Sequence, residues 1–91
     1  MGIRKEIETG DFVISKSGRD KNRYFVVMTA GEKSVEICDG NLHKLNKQKK
    51  KNIKHVKYAE EGDKTLKMKI IGGEKVSDSE IRKALKVFKE S

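Results

Sequence analysis

One stretch of this chain, Tyr24-Phe25-Val26-Val27-Met28, is apolar at every position. Side chains alternate between the two faces of a strand, so a strand built here presents apolar groups to both sides and must be covered on both. The pattern predicts a central strand over Arg23–Met28. The chain has 91 residues, 34% of them apolar and 40% charged. Most of its other apolar side chains are therefore needed to cover that strand, in one domain with at most a short appendage.

The flanking segments supply the neighbours. Phe12-Val13-Ile14-Ser15-Lys16 follows Gly10-Asp11 and ends at Ser17-Gly18, which reads as a strand closed by a turn. Ala30-Gly31-Glu32-Lys33 is a hairpin turn, and Ser34-Val35-Glu36-Ile37-Cys38 alternates as a half-buried strand does. A fourth strand is expected over Ile53–Tyr58, with Val56 and Tyr58 inward and Ile53, His55 and Lys57 on the other face. Short strands joined by tight turns suggest a small barrel or partly open sheet.

The period then changes. Ser77-Asp78-Ser79-Glu80 is a capping box, and Ile81, Ala84, Leu85 and Phe88 follow as one helical stripe. Val76 is placed to staple against Ile81 or a near neighbour. Residues 63–71 fit either period, because Leu66, Met68 and Ile70 alternate while Leu66 and Ile70 also share a helical face. A short helix is the preferred reading, ended by Gly72-Gly73.

Charge is concentrated in one place. Residues 1–40 carry seven basic and seven acidic side chains, and residues 59–91 carry eight and seven. Between Asn41 and Tyr58 lie seven lysines and no acid, which holds seven of the eight net positive charges. Such a segment attracts a polyanion, because each phosphate neutralised by lysine releases a condensed counterion. A solvated loop, a nuclear localisation signal or contact with anionic lipid would also account for Lys47-Gln48-Lys49-Lys50-Lys51. Charge alone does not choose among them.

Other chemistry finds little support. The single cysteine, Cys38, forms no internal disulfide and reads as a small strand residue, and no apolar run approaches bilayer length. The first residues contain no hydrophobic signal core, and Glu6 stands where a myristoylation motif has Ser or Thr. The expectation is a cytoplasmic protein with no membrane partner. Cys38, His43 and His55 lack the paired spacing of a zinc site. No phosphate loop, carboxylate pair or nucleophile elbow is present, so neither catalysis, nor a cofactor, nor a small-molecule substrate is expected. Only five aromatic residues occur, and most are needed for the core, so if the polyanion is a nucleic acid, shape and phosphate position are favoured over a base-stacking platform.

The segment Gly10-Asp11-Phe12-Val13-Ile14-Ser15-Lys16-Ser17-Gly18-Arg19-Asp20-Lys21-Asn22-Arg23-Tyr24-Phe25-Val26-Val27 resembles a KOW motif. Asp39-Gly40 and Asn52-Ile53-Lys54-His55-Val56 are similar to KOW-containing large-subunit ribosomal proteins of archaea and eukaryotes and their bacterial relatives. Gly73-Glu74-Lys75-Val76-Ser77-Asp78-Ser79-Glu80-Ile81-Arg82-Lys83-Ala84-Leu85 resembles the bacterial relatives in particular. The resemblance covers residues 10–88. It implies a mainly β protein with some α structure: a polar lead-in at 1–9, an SH3-like barrel of the KOW type over 10–62 and a C-terminal helical extension over 63–91 packed on it.

The family further implies an RNA-binding protein, ribosome- or rRNA-associated, that recognises structured RNA and has ribosomal proteins as further partners. Two positions depart from the motif. Asn22 and Phe25 stand where glycine is common; Asn tolerates a left-handed backbone, whereas Phe25 puts close approach of RNA at that point in doubt.

The candidate RNA contacts are Arg19, Lys21 and Arg23 in the first loop, and Lys44, Lys47, Lys49, Lys50, Lys51, Lys54 and His55 in the basic segment. Arg19 leads the loop set, because a guanidinium grips phosphate with two parallel hydrogen bonds. Its competing role is a pair with Asp20 or Asp11 across the turn. His55 is a candidate for a base or ribose hydroxyl, or is satisfied by a backbone carbonyl. The alternative function is an SH3-like protein-interaction module docking on ribosomal or transcription proteins.

Overall fold

A computed structural model describes residues 6–90. Residues 1–5 of the expected lead-in, and Ser91, lie outside the described residues. Five strands form one antiparallel sheet: β1 (Phe12–Ser15), β2 (Tyr24–Ala30), β3 (Ser34–Cys38), β4 (Lys49–Asn52) and β5 (Val56–Glu60). Two helices follow, α1 (Lys64–Ile71) and α2 (Asp78–Glu90). Helix and strand take comparable shares, so the chain is mixed α/β and not mainly β.

The strand order is β4-β3-β2-β1-β5, which puts β2 at the centre. Its two faces build two cores. Val26 joins Phe12, Cys38 and the helical residues Leu66, Ile81 and Leu85 on one side, with Tyr24, Met28 and Phe88 packed against them. Phe25 and Val27 join Val13, Val35, Ile37 and Val56 on the other. The double coverage demanded by the apolar run is thus met by helices on one face and by the sheet's own curvature on the other.

That curvature is visible in the contacts. A flat sheet would hold β4 roughly 14 Å from β1, three strand spacings away, beyond a lysine's reach. Lys51 of β4 nevertheless donates to the Ser15 hydroxyl of β1 and, at 2.7 Å, to the Ser17 carbonyl. Register shifts at Phe12/Val13 and Val27/Thr29 increase the local twist that makes this possible.

Two expectations change in the basic segment. It contains a strand of its own, Lys49–Asn52, paired with Ser34–Ile37 of β3. The strand expected over 53–58 instead begins at Val56, because Ile53–His55 forms a 3₁₀ turn in which the Asn52 side chain accepts the Lys54 N–H and the Lys33 carbonyl accepts the Ile53 N–H. The turn rotates Ile53 out of strand parity and onto the same core as Val56. His55 no longer shares a strand face with Lys57.

The helices follow the sequence signals more closely. Residues 64–71 are helical, with Asp63 accepting the Leu66 N–H at 2.9 Å. Gly62 precedes this cap in close contact with the Gly10 backbone, where any Cβ would collide with the Gly10 carbonyl. At α2 the Ser77 hydroxyl accepts the Glu80 N–H at 3.2 Å. The Glu80 carboxylate closes the box by accepting a hydrogen bond from the Ser77 backbone. It lies 3.4 Å from the Ser77 hydroxyl and accepts from Lys69 at 3.1 Å, tying α1 to α2, and this lysine holds the carboxyl below the usual range. Val76 packs with the core that contains Ile81.

Candidate nucleic-acid interface

The loop between β1 and β2 is shaped by two left-handed residues, Gly18 (φ 77°) and Asn22 (φ 71°). Asn supplies at the second position the backbone freedom that glycine commonly supplies. Backbone bonds from Asn22 to Ser15 (2.8 Å) and Arg23 to Asp20 (2.9 Å) close the loop. The result alternates direction. Arg19, Lys21 and Arg23 are exposed, while Asp20 between them is buried.

Asp20 faces inward onto His43, whose Nε2 lies 3.2 Å from both carboxylate oxygens. His43 in turn packs its ring on Phe25, with centroids 5.7 Å apart. Asp39 fixes that imidazole from behind by accepting the backbone N–H groups of Asn41 and His43, each at 2.9 Å. Asp11, the other acid considered for Arg19, is fully buried and bound to Lys67 at 2.8 Å. Both acids are occupied, and among the described residues Arg19 makes no ion pair.

The basic segment meets the same loop. After His43 and the exposed Lys44, a 3₁₀ turn at Leu45–Lys47 packs Leu45 against the helix-side core and bonds its N–H to Asp78 at 2.8 Å. From there β4 runs along the sheet edge. Lys49 and Lys51 stand opposite Ile37 and Val35, on the face turned toward the inner core, and Lys50 stands opposite Glu36 on the outer face. Beyond β4, Lys54 and His55 are exposed, and the His55 carbonyl accepts the Lys16 N–H at 2.8 Å.

Of the ten candidates, nine have exposed side chains and one does not. Lys51 is half-buried and committed to Ser15 and Ser17, so its ammonium bolts the basic strand to the arginine loop. Lys50 points away from its two strand neighbours. Two ties join the basic segment to the loop, Lys51 to Ser15 and Ser17, and His43 to Asp20. Sequence reasoning passed over Lys16, which adjoins both the loop and His55, although its place just ahead of Ser17-Gly18 marked it. It also weighed His43 only as a metal ligand and so missed its role as a strut.

Among the described residues no three His, Cys, Asp or Glu side chains are placed to hold a metal ion. Cys38 is buried, and that burial, with Asp78 and Asp39 nearby, pushes its thiol up to about 12, which leaves no reactive thiolate at neutral pH. No helix among the described residues is long and apolar enough to cross a membrane. The surface that remains is a set of cations on a braced loop and strand, suited to holding phosphates at fixed spacings. No protein-family model matches this sequence, and no curated protein matches it.

Proposed function

We propose that this chain is a non-catalytic, cytoplasmic RNA-binding protein that grips structured RNA through its phosphates and works on or near the ribosome, with ribosomal RNA as its partner. The observation that carries this reading is that the acid-free lysine segment is tied to the Arg19–Arg23 loop at two points, by Lys51 on Ser15 and Ser17 and by His43 on Asp20. A merely solubilising lysine run would not require that bracing.

In the same reading residues 10–62 are an SH3-like barrel of the KOW type and 63–91 its helical extension. The curled five-strand order, the 3₁₀ turn between the two edge strands and the left-handed Asn22 all support it. The ribosomal assignment rests on the resemblance in residues 10–88.

The test is the salt dependence of RNA binding. Replacing Lys47 and Lys49 by Ala should flatten the slope of log K against log salt by about one to two units, because each lost phosphate contact removes just under one. Exchanging Lys86 and Lys89 on α2 should leave the slope unchanged. An unaltered slope in the first variant would remove β4 from the interface. Cross-linking in cells, with reads over ribosomal RNA, checks the identity of the RNA.

A further inference from the structure

A cleft of about 950 Å³ opens beside the basic surface, at the end of the sheet where the 3₁₀ turn joins β5. Its apolar lining includes Ile53, Val56 and Tyr58, and Lys16, Lys54 and Lys57 also line it. Two of these lysines belong to the surface just described: Lys54 follows β4 directly, and Lys16 is bonded to His55 and follows the Ser15 that receives Lys51. Glu32, from the turn between β2 and β3, and Glu6 complete the polar lining.

Resting on the RNA reading above, we propose that this cleft receives one unpaired base of the bound RNA, turned out of its helix. An RNA backbone crossing the Arg19 loop and β4 passes the mouth of the cleft. The lysines there fit the flanking phosphates. The apolar wall formed by Ile53 and the Tyr58 ring fits the face of a base, while the carboxylates of Glu6 and Glu32 can accept hydrogen bonds from exocyclic amino groups.

Phe12, Tyr24, Phe25 and Phe88 are all packed in the cores. Tyr58 alone among the aromatics lines this cleft. The protein therefore reads one base, not a run of them. A duplex without an extruded base would contact only the cationic surface.

Two RNA hairpins test this, one fully paired and one identical except for a single bulged nucleotide. The bulged hairpin should bind on the order of tenfold more tightly and should quench tyrosine fluorescence. In Tyr58→Leu, which keeps apolar packing, the preference should vanish while affinity for the paired hairpin is retained. A Lys54→Ala/Lys57→Ala variant, changed only at exposed positions, should weaken the preference and serves if Tyr58→Leu fails to fold. Equal affinity of the native protein for the two hairpins would overturn the cleft proposal and leave the cationic surface standing. A preference that survives both variants would also overturn it. Binding of neither hairpin would defeat the RNA reading as well.

Discussion

Lys67 reaches down from α1 to Asp11, at the start of β1, with Glu8 and Glu61 each 3.6 Å from the same ammonium. Asp11 is fully buried, and its second oxygen accepts the Glu8 N–H at 2.8 Å. Removing the lysine leaves a buried carboxylate half-satisfied, which costs more than the pair itself contributes. Lys67→Met should lower unfolding free energy by about 3 kcal/mol. The hydrogen bond to Asp11 raises the Lys67 pKa above its ordinary value. The pair's contribution is therefore fully present below about pH 10.4, the unfolded lysine value, and fades as pH rises through the folded value. Denaturant titrations of native and variant protein at neutral and alkaline pH should show the difference shrinking only on the alkaline side.

Helix α2 was legible in the sequence because each of its signals is local: a cap, a stripe and a dipole-compatible charge order. Its energetic roles divide accordingly. Ser77→Ala removes one N-terminal hydrogen bond and should cost about 1 kcal/mol. Phe88→Ala removes a ring packed on Phe12 at 4.9 Å and Tyr24 at 5.2 Å, and should cost about 2 kcal/mol because that ring is only partly enclosed. Thermal unfolding of the two variants checks the ranking. The basic segment reads less well. Lys49–Asn52 has no apolar alternation, so nothing in its own residues marks a strand; it is one because β3 offers it a free edge, and lysines on an edge strand also discourage pairing with other chains.

Across the whole molecule, Lys51 connects one edge of the sheet to the loop two strands beyond its neighbour. Lys51→Met keeps the stem and removes the donor, and should cost about 1 to 2 kcal/mol by removing the charged donor shared by Ser15 and Ser17, which keep only the bond from the Ser15 hydroxyl to the Ser17 carbonyl. Lys49→Ala, on the same strand face but exposed, should leave stability unchanged and, if the proposed function holds, weaken RNA binding. Measuring urea midpoints and RNA affinity on both variants separates the brace from the contact.

The central strand, the capped helix, the left-handed Asn22 and the location of the charge are set by the sequence itself, because periodicity, capping and composition act between near neighbours. The tertiary structure decided which cations stand together, which lysine is a brace, and where Asp20, Asp11 and His43 find their partners. Those outcomes depend on how far the sheet curls, and the curl is the sum of twist, register shifts and core volume over all five strands. No single segment of the chain encodes that sum.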